Sequence, residues 1–183
     1  MHFEGFLYSY DMDTNVLGSG LYGTVTTDGV YAYKRYKTAQ SPLEATISKL
    51  MGNAGIGPKV YSVSENKGNT VIKMNKLDGV ASEIDLSKQD QCDIKCLVSS
   101  LKKHGITHGD IHLDNIMYTI GKNGTKRFYI IDFGLARFRN TDSINTNNDA
   151  MFMNQLAHAN HKAAKKAQPR VSNNQCTCRK SLF

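Results

Sequence analysis

Three polar residues in the second half of the chain carry the most specific chemistry. Asp110 stands in His108-Gly109-Asp110-Ile111-His112-Leu113-Asp114-Asn115, and Asp132 opens Asp132-Phe133-Gly134 seventeen residues after Asn115. An acid, an amide five residues later and a second acid beyond it are what phosphoryl transfer from a metal-bound nucleotide requires: one group to orient a hydroxyl and two to hold magnesium. A lone Asp-Phe-Gly says little, and each acid taken singly could do no more than cap or solvate a turn. The combination is far more specific than its parts.

The element between them explains how they can meet. Residues 115–120 and 127–131 are rich in β-branched and aromatic side chains, and Asn123-Gly124 between them is a turn signal, so a hairpin is expected. Its outer ends lie side by side, which brings Asp110, Asn115 and Asp132 to one rim. A metal ion there could bridge Asn115 and Asp132 and leave Asp110 facing an incoming hydroxyl.

A second candidate region lies near the N-terminus. Gly18, Ser19, Gly20, Gly23 and Val25 form a glycine-rich string in which residues without a Cβ let backbone N–H groups approach phosphate oxygens. A dinucleotide-binding loop would need a helix next, but Thr24-Val25-Thr26-Thr27 continues as strand and turns at Asp28-Gly29 into a second strand. Period-2 geometry puts Val30, Ala32 and Lys34 on one face of that strand and Tyr31 and Tyr33 on the other. The small Ala32 can lie against a flat base while Lys34 reaches phosphates; an ordinary solvated lysine at a strand end is the alternative. Between Asp28 and Glu65 the only carboxylate is Glu44, which makes it the candidate partner of Lys34. Glu44 also completes a capping box with Ser41, and Pro42 suits the first helical position, so a helix over about 42–52 is expected with Leu43, Ile47 and Leu50 on its apolar face.

These segments occur together in the order seen in the protein-kinase-like superfamily, which the chain resembles over residues 14 to about 139. The resemblance implies a bilobal α+β fold with a small β-rich N-lobe, about residues 1–75, and a shortened helical C-lobe, about 78–159, followed by a basic tail over 160–183. It implies ATP and Mg2+ as nucleotide and metal. Asp110 would be the catalytic acid, Asn115 and Asp132 the magnesium ligands, and Lys34 with Glu44 would position the α- and β-phosphates. Residues 74–77, including Met74 and Leu77, would be the hinge whose backbone pairs with adenine.

Departures from the pattern narrow the branch. His112 stands where typical serine/threonine protein kinases carry lysine, and Gly109 where they carry arginine, which moves the chain toward atypical relatives. His-Gly-Asp occurs in aminoglycoside- and choline-type phosphotransferases and in small RIO-like kinases, including the kinase of the tRNA-threonylcarbamoyl machinery. Only 49 residues follow Gly134, fewer than a large substrate-binding region needs, so the compact type is expected. Without that arginine, control by activation-loop phosphorylation is not expected.

The remaining core reads coarsely. Strands are expected over 58–64 and 69–74, and a helix over 88–103 with Ile94, Leu97, Val98 and Leu101 on one face. His108 is expected to prop the catalytic loop rather than act as a base. Residues 140–148 read as a polar loop and 149–156 as a helix, whose Asp149 either grips the catalytic loop or only favours a helix N-terminus.

Charge is unevenly placed. From Met151 onward there are six Lys or Arg and no acids, so nearly all of the net +7 lies in the tail. Lys162, Lys165, Lys166, Arg170, Arg179 and Lys180 could attract RNA or an acidic partner protein; a solvated terminus is the bland alternative. No apolar run is long enough to span a membrane and no cleavable signal opens the chain, so an intracellular, cytoplasmic protein is expected, with the nucleus open. Cys92 and Cys96 are expected as free thiols, and Cys176-Thr177-Cys178 would be half of a metal site only if a second ligand pair came from elsewhere. The function expected is ATP- and magnesium-dependent transfer to a serine or threonine hydroxyl of a protein substrate. The rivals are a small-molecule phosphotransferase, a partner-activating ATPase and a non-catalytic binding module.

Overall fold

The computed structural model describes residues 15–20, 23–36, 42–66, 69–139, 151–156 and 176–178. Five antiparallel strands form the first lobe: β1 (Asn15–Ser19), β2 (Gly23–Thr27), β3 (Tyr31–Tyr36), β4 (Val60–Asn66) and β5 (Asn69–Asn75), in the order β1-β2-β3-β5-β4. The β2–β3 turn is fixed by Asp28, whose Oδ1 accepts from the amides of Val30 and Tyr31 at 2.9 and 2.7 Å. Gly29 supplies the positive φ of 94° that this turn needs. Tyr33 Oη donates to Asp28 Oδ2 at 2.6 Å, tying the strand's outer face back to its own turn.

Helix α1 (Pro42–Asn53) packs across this sheet. Ile47 and Met51 are fully buried and Leu43 packs beside them, whereas Leu50 is 39% exposed. The apolar stripe thus runs Leu43-Ile47-Met51, one turn per step, and the expected place of Leu50 on it is corrected. After α1 the chain turns sharply, with the amides of Ile56 and Gly57 donating to Met51 O at 2.9 and 3.0 Å.

The second lobe is built on α2 (Lys88–Lys103), whose bounds match those expected. Ser87 caps it: Ser87 Oγ accepts from the Asp90 amide at 3.1 Å, and Asp90 Oδ2 accepts from the Ser87 amide at 3.1 Å. Strands β6 (Gly79–Val80), β8 (Ile116–Ile120) and β9 (Lys126–Ile130) form one small sheet, and β7 (Ile106–Thr107) pairs with β10 (Arg137–Phe138). The expected hairpin is β8–β9, with Gly124 at φ 76° in its connection. A helix over 151–156 lays Phe152 and Leu156 into the core.

One apolar cluster joins the lobes. Ile47, Met51 and Ile56 meet Ile94, Leu97, Leu101, Ile116, Phe128, Ile130 and Phe133 in it. Ile56 O also accepts from the Ile130 amide at 2.8 Å, and a Cβ on Gly57 would press on the Phe133 ring at 3.2 Å. The end of α1 is therefore seated on the end of β9. That seating fixes Glu44 relative to Asp132.

The cysteines differ from expectation. Cys92 pairs with Cys176 and Cys96 with Cys178, so the expected free thiols of α2 are corrected: residues 176–178 lie along the helix and present both sulfurs to it. Leu21, Tyr22, Ser41, residues 140–150 with Asp149, and the tail's Lys162, Lys165, Lys166, Arg170, Arg179 and Lys180 lie outside the described residues. Among the described residues, no helix is long and apolar enough to cross a membrane.

Candidate active site

A cavity of about 350 Å³ opens between the five-stranded sheet and the second lobe. Gly18, Gly20, Gly23, Val25, Ala32, Lys34, Glu44, Met74, Leu77 and Asp132 all line it, as do the bystanders Val60, Ile72, Val80, Met117, Ile131 and Phe133. Strand register explains the apolar floor: Ala32 is opposite Met74, and Lys34 is opposite Ile72, so one face of β3 and β5 forms a single wall. Ile72 and Met117 could have been found by extending the same alternation into β5 and β8. Ser19 is the exception among the expected loop residues; its hydroxyl shares a hydrogen bond with Thr24 Oγ1 at 3.1 Å at the exposed end of β1.

The loop glycines have different reasons. A Cβ at Gly23 would run into the backbone carbonyl of Arg35, so strand pairing itself requires glycine there. At Gly18 and Gly20 a Cβ would meet nothing within 4 Å. Protein packing does not demand glycine at those two, and the free space beside their backbone is what a phosphate group would use.

Lys34 is the electrostatic centre. Its Nζ donates to Glu44 Oε1 at 2.6 Å and to Asp132 Oδ1 at 2.7 Å. Burial by itself would lower the Lys34 ammonium, but the charges of Asp132 and Glu44 overcome it and hold the group above the usual lysine range. Burial likewise pushes the Asp132 carboxyl up, and the Lys34 charge and hydrogen bond outweigh it, leaving Asp132 below the ordinary aspartate range. Desolvation and the adjacent Glu44 carboxylate push the Tyr36 phenol far up, so this wall of the site stays uncharged there.

Asp132 has φ 59° and ψ 72°, the one non-glycine positive φ among the described residues. Such a backbone costs on the order of 1–3 kcal/mol and persists only where surroundings hold it. Here the Lys34 ion pair and the packing of α1 on residues 133–135 hold it.

Asp110 and Asn115 lie outside the cavity lining but are tied to Asp132 through the backbone. Asn115 O accepts from the Ile131 amide at 2.9 Å, and His108 Nε2 bonds Ile131 O at 3.0 Å. His108 is fully buried against Phe133, and its Nδ1 accepts from the Asp110 amide at 3.3 Å, the propping role expected of it. Gly109 takes φ 85°, and a Cβ there would meet Leu135 O at 2.7 Å. The loop's shape therefore excludes arginine at this position for a local steric reason.

Asn115 Nδ2 donates to Asp110 O at 2.9 Å and to His112 Nε2 at 2.9 Å. Its Oδ1 is an amide oxygen of the kind a hard cation takes. Asp132 turns Oδ1 to Lys34, takes a backbone hydrogen bond from Gly134 and keeps a side chain that is 44% exposed. Two hard oxygen donors beside an apolar cleft with a lysine and a glycine loop fit a magnesium–nucleotide pair. His112 Nδ1 lies 3.2 Å from Asp114 Oδ2 and its Nε2 3.6 Å from Asp110 Oδ2, a cluster that the sequence marked only as a departure from pattern.

No family model matches the chain. It is 28% identical over 140 residues to the probable bifunctional tRNA threonylcarbamoyladenosine biosynthesis protein of Methanosarcina barkeri, covering 73% of this chain and 24% of that protein. The protein of the same name from Methanosarcina mazei is 30% identical over 106 residues, covering 57% of this chain and 18% of its own length. The probable serine/threonine-protein kinase BUD32 homolog of Archaeoglobus fulgidus is 30% identical over 108 residues, 58% of this chain and 51% of that one. The chain thus spans from about a fifth to about half of the length of these relatives. These likenesses, all at low identity, relate the chain to atypical protein-kinase-like proteins, and its own fold is mixed α+β.

Proposed function

We propose that the chain is an ATP- and magnesium-dependent kinase that transfers a phosphoryl group to a serine or threonine hydroxyl of a protein. The observation that carries this reading is the double ion pair of Lys34 with Glu44 and Asp132 at the wall of an apolar cavity. It supports a site built to hold a base on one side and a triphosphate on the other.

Val25, Ala32, Met74, Leu77 and Met117 provide the apolar slot for the base. Lys34, held by Glu44, supplies positive charge to the phosphates, and the open space beside the Gly18 and Gly20 backbone leaves room for them. Asp132 and Asn115 would hold a magnesium ion, which would supply neutralising charge at the phosphates. Asp110 orients the acceptor hydroxyl and takes its proton on a carboxylate oxygen; its side chain is 54% exposed, open to an incoming substrate. His112 and Asn115 hold the Asp110 loop in place.

A second reading is ATP hydrolysis in the service of a partner complex. It is favoured by the names of the two Methanosarcina relatives, which belong to tRNA threonylcarbamoyladenosine biosynthesis. On either reading the chain works in the cytoplasm, or the nucleus where one exists, with a partner protein or RNA as a candidate ligand of the basic tail. Incubation with γ-labelled ATP and magnesium, beside Asp110→Ala, separates the two. Label on protein that is absent in the variant supports the kinase; free phosphate alone supports the ATPase; neither signal from protein that binds ATP overturns both.

A further inference from the structure

All four cysteines of the sequence lie at one place on the second lobe, and none is free. Cys92 and Cys96 are one turn apart on α2, and Cys176 and Cys178 are alternate residues of the segment lying along that helix. The Cα separations are 5.5 Å for Cys92–Cys176 and 5.8 Å for Cys96–Cys178, within the span a disulfide tolerates. The bridges can form side by side because a helix advances about 6 Å in four residues and a chain reaches at most about 7 Å in two. They are not alike at their two ends. Cys92 and Cys96 are 6% and 8% exposed, whereas Cys176, Thr177 and Cys178 are all exposed. An external thiolate therefore attacks from the side of Cys176 and Cys178 and expels the sulfur of Cys92 or Cys96. A buried cysteine thiol packs as a small apolar group, so α2 keeps its core without the bridges. The segment does not keep its hold: beside the sulfurs, Gln89 Nε2 reaches Thr177 O at 3.4 Å, a long and exposed contact.

The bridges have sequence separations of 84 and 82 residues, so either one closes a covalent ring that contains Asp110, Asn115 and Asp132. Strands β1 to β5, with Lys34, lie outside that ring. Helix α2 is its starting edge, and it packs on β7, which leads into the Asp110 loop, and on β9, which leads into Asp132. Once one bridge has closed its ring, the second restrains only the few further residues between the two. What it adds is a threshold. With one bridge intact, the broken pair stays at high effective concentration and re-forms, so the segment is released only when both are open.

We propose that Cys92–Cys176 and Cys96–Cys178 form a redox clasp, closed by oxidation and opened by dithiols, that sets how firmly the second lobe is held. Opening each bridge takes two electrons and two protons: the two thiols of the reductant become a disulfide, and the two cysteines become thiols. Closing is the reverse exchange, with a disulfide as the oxidant. That the bridges cycle, rather than stay closed, rests on the proposed ATP-dependent function in the cytoplasm, a compartment whose disulfides are mostly transient or redox-sensing.

The test is made on the full chain, equilibrated in glutathione mixtures from fully oxidised to fully reduced. Intact mass after acid quenching counts the bridges, peptide mapping assigns them, thermal melting reads stability and amide exchange locates the change. In the oxidised limit the mass should be lower than in the reduced limit by the four hydrogens of two disulfides, with Cys92–Cys176 and Cys96–Cys178 the pairs. Reduction should lower the melting temperature by about 5–15 °C. It should also speed exchange in α2, β7 and β9 and leave β1 to β5 unchanged. Returning the reduced protein to oxidised glutathione should restore the first values. The Cys176→Ser/Cys178→Ser variant, with α2 unaltered, should melt like reduced wild type in both limits. Four thiols retained in the oxidised limit, bridges that survive the reduced limit, or a melting temperature indifferent to either overturns the proposal. The wild-type series decides even if the variant does not fold. Transfer without a redox response would remove the clasp alone; a redox response without transfer would remove the kinase reading alone.

Discussion

Lys34 Nζ and Asp132 Oδ1 lie 2.7 Å apart although 98 residues separate them in the chain. The contact exists because β3 places Lys34 inward and the docking of α1 on residues 133–135 brings Asp132 up to it; Glu44, from α1, completes the triad at 2.6 Å. Lys34→Met would leave Glu44, 4% exposed, facing Asp132 with no cation between them. A loss of about 2 kcal/mol is expected, less than for a fully buried pair because the Asp132 side chain is 44% exposed. Urea denaturation at neutral pH measures it. Adding Glu44→Gln should recover part of the loss, and unchanged stability in Lys34→Met would show that the triad carries no structural weight.

Asp110 and Asp132 should fail in different ways. Asp132 lines the cavity and Asp110 does not, so Asp110→Asn should lower transfer by about two to four orders of magnitude with nucleotide affinity nearly intact. Asp132→Asn should also weaken magnesium-dependent nucleotide binding. Titration of a fluorescent ATP analogue with and without magnesium, beside single-turnover rates, separates the effects. Equal loss of binding in both variants would contradict the division of roles.

Why some of this architecture was legible in the sequence follows from where the signals are local. Helix α2 was readable from Ile94, Leu97, Val98 and Leu101 at helical spacing, and the Ser87–Asp90 capping box at its start is as local a signal. The β8–β9 hairpin was readable from one turn and two β-rich runs, and Glu44 by elimination. Leu50 was misplaced because Leu50 and Met51 both continue the Leu43-Ile47 spacing, and packing against Ile56 and Phe133 selects Met51. The second strand pair begins at Val60 rather than Pro58, since Pro58 has no amide to donate to a ladder. The cysteine pairing was invisible for a stronger reason: more than 80 residues separate the partners, and spacing alone does not say which segment comes to lie on α2.

Gly109 and Gly124 allow steric clash to be told from backbone strain. Both have positive φ, 85° and 76°, but a Cβ on Gly109 would meet Leu135 O at 2.7 Å, while one on Gly124 would meet nothing within 4 Å. Gly124→Ala should therefore cost only the left-handed penalty of about 1 kcal/mol. Gly109→Ala should cost about 2–3 kcal/mol. It should also displace the Asp110 loop, lowering transfer as well as stability. Thermal melts of the two variants check the order; equal melting temperatures would mean that the loop relaxes around the added methyl group.

The Lys34–Asp132 pair also fixes a pH window. Asp132 is held below its ordinary value of 3.8, so its contribution to stability is present above that value and is lost as acid protonates the folded form. Lys34 is held above its ordinary 10.5, so its contribution is complete below 10.5 and is lost as the pH rises through the higher folded value. Between those limits the pair should contribute a constant amount. The stability difference between wild type and Asp132→Asn, measured by urea denaturation, should therefore be flat from about pH 5 to pH 9 and shrink below about pH 4, because the wild-type carboxyl then takes up the proton that removes its charge. A difference that instead varies across the neutral range would place the titration on another group.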